Sequence, residues 1–492
     1  MTQTAVISRD LTTTRGAALY IGALLGPGLL LLPGLAAAEA GPASIVAWLG
    51  LLGLSGLFAA VFSGLGRRFP QAGGIMGYVT AGLGQRAGRA AGWCFLTGVV
   101  GGAPIVCLIG ASYITTLTGG GLPVRAAVAA LLLLIVLGLS AAGLRASAGA
   151  QLVLVALLIT VVAVAVVGSG RYAQIDRWSP FAQHGWLSVG HAATTLMLSF
   201  VGWEAVAPLT TRFANPSRQL PKVIAIALAV TTALYLGLAI ATVSVLGPGT
   251  TVPLADLLKV AIGPAGSIAA AAAAVVLTVG AVNAYLNGAV VMARQLTKPG
   301  SSEEARSPAF LLAIAVTGLV LISLYGFRLV STTALVVLPT TLFLAVYLGS
   351  MLAATRVLRG AGRVAACIAS LAVLAMLPYC GWALLAPAAV AAVSVWRSRH
   401  LTPRPAATAA QPVASAAERH EADTHSSPRS RTASCAAPRL FSHRCGSRPA
   451  ARGSWHRWQC KQRQHGRGNS AGARHGRQPR ELRRLSKQRP GH

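Results

Sequence analysis

Stretches of about 18 or more apolar residues recur along the first 400 positions, separated by short polar connections. The pattern places helices near 15–38, 43–66, 91–117, 124–144, 149–168, 189–210, 222–246, 264–292, 308–326, 331–354, 362–378 and 381–397. Many equally long runs follow the first, so it is not a cleaved leader. The runs are also too long and too continuous for tilted barrel strands, and backbone inside lipid must satisfy its own hydrogen bonds. The expected fold is an all-α membrane protein of about twelve transmembrane helices.

Composition agrees, with 54% hydrophobic residues, 11% charged residues and a mean hydropathy of +0.62. The formal charge of +31 changes the picture only through its distribution. Arg67, Arg68, Arg86, Arg89, Arg294 and Arg356 are among the many basic residues on one side of the span list, against Arg125, Arg171, Arg177, Lys259 and Arg328 on the other. That asymmetry predicts a protein of the cell inner membrane with both termini in the cytoplasm. Residues 1–14 then form a cytoplasmic segment and 15–397 the membrane domain. Residues 398–492, rich in Arg, His, Ser and Gly, form a basic tail with too little apolar surface to fold alone. The tail reads as a solvated extension or gene-end artefact, against an RNA- or anionic-lipid-binding segment; no nucleic-acid partner is expected. Seven cysteines show neither paired nor metal-ligand spacing, and neither metal nor cofactor is expected. Between 67 and 90, Ile75, Met76, Tyr78, Val79 and Leu83 predict a short helix lying in the membrane interface.

A ligand site near the membrane midplane requires polar groups there, and a continuous helix hides its own. A broken helix exposes them, and its half-helix N-terminus offers free N–H groups to a carboxylate. The first run reads Gly22-Ala23-Leu24-Leu25-Gly26-Pro27-Gly28, and the sixth reads Leu198-Ser199-Phe200-Val201-Gly202-Trp203-Glu204, followed by Pro208. The breaks lie five helices apart, and the odd number inverts the second repeat. Simple packing kinks are the alternative for each. Glu204 is the one acid placed well within a run, apart from Glu39 at the end of the first. An intramembrane carboxylate is a functional candidate by default, here as proton carrier or as a fixed acceptor for unwound backbone. On the eighth run Asn283 and Asn287 share a face, either lining the site or bonding a neighbouring helix. Trp203 is a gate or interface bulk.

These residues carry a resemblance to the amino acid–polyamine–organocation superfamily of transporters. The glycine-interrupted first run is one mark. The others are Pro70-Gln71-Ala72-Gly73-Gly74, Phe200-Val201-Gly202-Trp203-Glu204 and Asn215-Pro216-Ser217-Arg218-Gln219-Leu220-Pro221, in the order the family spaces them. The resemblance implies a five-plus-five inverted repeat with helices one and six broken, plus two extra helices. Within the superfamily, Phe200–Ala205 and Val282-Asn283-Ala284-Tyr285 look like bacterial exporters of methionine and branched-chain amino acids. That implies a secondary active transporter of neutral apolar amino acids such as methionine, leucine, isoleucine and valine, exporting them by proton antiport. Gly22, Leu25, Gly26, Gly28, Leu198, Phe200, Gly202, Trp203 and Asn283 are the substrate-binding candidates, and Glu204 the proton-coupling candidate. Pro27 departs from the small residue usual between the first-run glycines and removes an N–H there. An uptake permease of the same fold and a non-transporting membrane sensor are the alternatives. A membrane enzyme would need clustered His, Asp or Glu at one depth, where the sequence places only Glu204.

Overall fold

Helix boundaries in this chain follow a small set of local signals. The Thr12 hydroxyl accepts the Arg15 N–H at 3.3 Å, and the Ser331 hydroxyl accepts the Ala334 N–H at 3.2 Å, each capping the helix that follows. In the Asn215–Pro221 segment, Pro216 occupies the first helical position, and Gln219 Oε1 accepts the Asn215 N–H at 2.8 Å. Gly84, with φ of 91°, turns one helix directly into the next.

The computed structural model describes residues 11–26, 28–69, 74–143, 148–206, 213–297 and 308–400. Pro27, Pro70–Gly73, Pro208, residues 298–307 and the basic tail from 401 lie outside them, as does most of the expected N-terminal segment. Sixteen α-helices occur among the described residues. They are α1 (Thr13–Leu24), α2 (Gly28–Ala40), α3 (Ser44–Arg68), α4 (Ile75–Leu83), α5 (Gln85–Thr118), α6 (Leu122–Ala141), α7 (Ala148–Ser169) and α8 (Leu187–Leu196). There follow α9 (Trp203–Val206), α10 (Pro216–Ala241), α11 (Pro253–Ile262), α12 (Pro264–Thr297), α13 (Pro308–Gly326), α14 (Thr332–Val357), α15 (Ala361–Met376) and α16 (Leu385–His400). Among these residues there is no strand, only an isolated bridge between Leu11 and Phe213.

Nine stretches of the described residues are long and apolar enough to cross a membrane. Two of them, Gly28–Arg68 and Ala361–Arg397, span 41 and 37 residues and each contains two helices. Leu187–Phe200 is a shorter apolar segment. Packing divides the helices into two kinds. α5 runs through the middle, most extensively against α12, α14 and α6. By contrast Val153 and Val167 on α7 are 68% and 79% exposed, and Leu312 on α13 is 64% exposed. Apolar side chains so consistently turned outward suit lipid rather than water.

The short helix expected after α3 forms at Ile75–Leu83; Ile75, Tyr78 and Val79 are buried, and α4 packs on α5 and α14.

Candidate functional site

The first interruption begins where α1 ends at Leu24. Leu25 N–H still reaches Ile21 O at 2.8 Å, but Gly26 N–H turns back to Leu24 O at 2.9 Å, and α2 restarts at Gly28. The second is longer. α8 tightens into a 3-10 turn over Met197–Phe200, Val201 is extended, Gly202 takes φ of 150°, and α9 starts at Trp203. The interruptions touch. A Cβ on Gly202 would stand 2.5 Å from the Ala23 carbonyl oxygen, and one on Gly28 would stand 2.7 Å from Ser199 Oγ. Gly202 is therefore required twice, by its backbone angle and by the close approach.

Unwinding strands carbonyl groups that buried structure must satisfy. Three tyrosines from later helices meet them. Tyr235 on α10 sets its hydroxyl between Leu24 O, at 2.8 Å, and Ser199 O, at 2.9 Å, one from each interruption. Tyr285 on α12 donates to Val201 O at 3.2 Å. The Tyr347 hydroxyl on α14 lies between Phe200 O, at 3.3 Å, and Glu204 Oε2. That same carboxylate oxygen accepts the Gly202 N–H at 2.9 Å. Glu204 thus caps its own break with one oxygen. Its other oxygen, Oε1, is buried and has no hydrogen-bond partner among the described residues.

Two cavities meet at this place. A wide one of about 450 Å³ opens toward the end of the bundle that carries Gly74 and Gln295, and Gly22, Leu25, Gly26 and Glu204 stand in its wall. Leu154 and Leu158 of α7 and Leu277 of α12 make its sides apolar. A smaller pocket of about 60 Å³ lies beyond, walled by Gly28, Leu198, Val201, Gly98, Gly102 and Phe343 among others. Gly26 and Tyr285 belong to both.

Five of the nine substrate-binding candidates therefore face these cavities: Gly22, Leu25 and Gly26 the wide one, and Gly26, Gly28 and Leu198 the small one. The remaining four stand in neither wall. Phe200 packs against Trp48 and Tyr235 at centroid distances of 6.0 and 5.4 Å. Trp203 donates its indole N–H to Ser55 Oγ at 2.8 Å and meets Tyr20 edge-on. Gly202 is consumed by the approach to α1, and Asn283 is buried within α12, where its carbonyl accepts the Asn287 amide at 2.8 Å. Sequence reading missed Tyr235 and Tyr347. The available signal was the hydroxyl itself: a buried tyrosine needs a partner, and in an apolar bundle unwound carbonyls are the main supply. Among the described residues no cluster of His, Cys, Asp or Glu is arranged to hold a metal ion.

The family model described as amino acid permease matches residues 11–407. An uncharacterized amino acid permease, YecA of Bacillus subtilis, is 31% identical over 401 residues, covering 78% of this chain and 94% of that protein. The L-methionine/branched-chain amino acid exporter YjeH of Escherichia coli is 28% identical over 396 residues, covering 76% and 93%. The branched-chain amino acid permease BcaP of Bacillus subtilis is 27% identical over 241 residues, covering 44% and 50%.

Proposed function

The chain belongs to the amino acid permease family, and from that premise we propose that it is a secondary active transporter exporting neutral, apolar amino acids by proton antiport. The family and its relatives are transporters rather than enzymes, and this chain is a multi-pass membrane protein of that class. Twelve spans account for its helices: the two double-length stretches count twice, and Leu187–Phe200 with α9 supplies the broken sixth. α1 and α2 are the two halves of the first. The membrane domain covers 15–397, with the flanking segments, including 398–492, in the cytoplasm of a cell with this protein in its inner membrane.

One observation carries the substrate reading. The cavities that meet at the two interruptions are apolar, and Glu204 supplies the carboxylate in the wall of the wide one. A zwitterion's α-carboxylate suits the N-terminal N–H groups of α2, while its ammonium suits Val201 O, which borders the small pocket and keeps a second lone pair beside the Tyr285 bond. What remains is a small apolar space beside Leu198, which favours methionine, leucine, isoleucine or valine over charged side chains. Gly22, Leu25, Gly26 and Gly28 form the contact surface on the first break; Phe200, Gly202, Trp203 and Asn283 act behind the surface by holding its shape. Glu204 has the geometry for a double role, since Oε2 fixes Gly202 and Oε1 is open to a proton.

Counterflow of labelled methionine and leucine in proteoliposomes, with an imposed pH gradient, tests this directly. Accumulation of substrate in the acidic compartment, opposite to proton flow, supports antiport; accumulation in the alkaline compartment, along with the proton, replaces it with the uptake permease. Glu204→Gln keeps an acceptor for the Gly202 N–H and removes the titrating group. It is expected to bind substrate within about fivefold of the parent while losing proton-driven accumulation, because one neutral hydrogen bond is worth only about 1 kcal/mol. Unchanged proton coupling in that variant removes Glu204 from the coupling role.

A further inference from the structure

A third pocket, of about 40 Å³, lies at the end of the bundle away from the wide cavity's mouth. Leu31 and Leu35 of α2 form one wall, and Ser112, Arg125, Tyr325 and Thr332 bring polar groups to it. Ile109 stands in its wall and also in that of the 60 Å³ pocket. The three spaces therefore follow one another through the bundle, joined at Gly26 and Tyr285 and then at Ile109. Leu31 and Leu35 lie one to two turns beyond Gly28, so about 5–10 Å of helix separates the third pocket from the first break. That is roughly the length of one amino acid.

Arg125 is oddly placed for a structural residue. It is half-buried in the first turn of α6, where the helix dipole disfavours a cation. Nε reaches Thr115 Oγ1 at 3.4 Å and Nη1 reaches Tyr325 Oη at 3.2 Å, both neutral hydroxyls. Among the described residues no carboxylate stands within ion-pairing distance of it, and Asp256, on the same end, is engaged by the Thr250 hydroxyl at 2.5 Å. A guanidinium on hydroxyls alone retains most of its capacity for a carboxylate, which it binds through two parallel N–H groups. A space of 40 Å³ suits a group of that size, since about 10–15 Å³ on this measure holds one water.

We propose that Arg125 and the hydroxyls beside it form a carboxylate subsite, distinct from the two breaks, which holds the substrate's α-carboxylate as it passes through the end of the bundle bearing the Thr118–Leu122 connection. The subsite rests on the transporter reading above, because its ligand is that substrate. It selects for a carboxylate at that face, and it plays no part at the other.

The test is one-sided kinetics in proteoliposomes of defined orientation, with labelled methionine or leucine offered to each face separately. Arg125→Gln is expected to raise KM about tenfold at the Thr118–Leu122 face, with KM at the opposite face and the exchange Vmax within twofold. The parent's KM at the first face should also rise with salt, and the variant's should not. Tyr325→Phe removes the hydroxyl contact but keeps the charge, and is expected to raise KM at the Thr118–Leu122 face by about two- to threefold, less than Arg125→Gln, with KM at the opposite face unchanged. Where Arg125→Gln does not reconstitute, Arg125→Lys carries the test, with a severalfold rise at the same face from loss of the two-pronged contact. Equal KM changes at both faces, or none at either, overturn the subsite. Absence of any amino-acid flux in the parent protein sinks the transporter reading and the subsite with it.

Discussion

The two helix interruptions solve one physical problem in opposite ways. At the second, nearly every polar group set free by unwinding is taken up inside the protein. Tyr347 meets Phe200 O, Tyr285 meets Val201 O, and Glu204 holds the Gly202 N–H. At the first, later helices bring the shared hydroxyl of Tyr235 to Leu24 O and that of Tyr113 to Leu30 O beyond the break, and Gly26 between them stands open to both cavities. A Cβ on Gly26 would meet nothing within 4 Å, whereas one on Gly202 would meet backbone at 2.5 Å. The difference teaches that a break can be a joint or a surface. The second is a joint, whose geometry is fixed by tertiary bonds; the first is a surface, left for a ligand to complete.

Gly202→Ala and Gly26→Ala break the comparison most sharply. A non-glycine residue at φ of 150° is strained by about 1–3 kcal/mol. Overlap with the Ala23 carbonyl adds a similar amount. Gly202→Ala should therefore abolish transport and lower thermal stability by several degrees. Gly26→Ala should melt within about two degrees of the parent yet shift substrate KM, because the new methyl enters the cavities and nothing else. Equal melting losses in the pair, read by fluorescence-monitored unfolding, refute the division into joint and surface.

Tyr347→Phe and Tyr235→Phe come next. Removing the Tyr347 hydroxyl leaves a buried carboxylate short of a partner, a loss of about 2–3 kcal/mol. Removing that of Tyr235 frees two carbonyls that shared one proton, and about 1–2 kcal/mol is expected. Kinetically the order should reverse. Tyr235 joins the two breaks, so its loss should loosen the site and raise substrate KM more than loss of Tyr347, which acts within one break. Uptake curves on both variants at matched expression decide it.

The places where the backbone unwinds were legible from the chain because glycine and proline carry their own instruction: Gly26, Gly28 and Gly202 permit conformations and contacts that other residues resist. The residues that complete the site were not. Tyr235 and Tyr347 lie 36 and 147 positions from the carbonyls they meet at Ser199 and Phe200. A tyrosine in an apolar run carries no periodicity that separates a hydroxyl aimed at backbone from one packed in a helix interface. Phe200 and Trp203 show the limit from the other direction. Proximity in sequence to Gly202 suggested the cavity, but the turn at Gly202 sends Trp203 toward Ser55, while Phe200 packs on Trp48. Reading direction from a break requires its dihedral angles, which only the fold supplies.

Tyr285 sits on the border between joint and surface, and Tyr285→Phe gives the smallest and most discriminating effect. Its hydroxyl closes Val201 O at 3.2 Å, so by bonding it belongs to the second break; its ring lines both cavities, so by position it belongs to the space beside the first. Loss of the hydroxyl leaves Val201 O facing the small pocket, where water or the substrate's ammonium can take the vacated bond. Stability should fall by less than about 1 kcal/mol, since a carbonyl that meets a new donor is not left unsatisfied. Substrate affinity should tighten or stay level within about threefold, the reverse of the weakening expected for Tyr235→Phe. Isothermal titration with methionine on detergent-purified protein reads the sign. A loss of several kcal/mol in stability with weaker binding would place Tyr285 wholly in the joint, and the carbonyl of Val201 out of the substrate's reach.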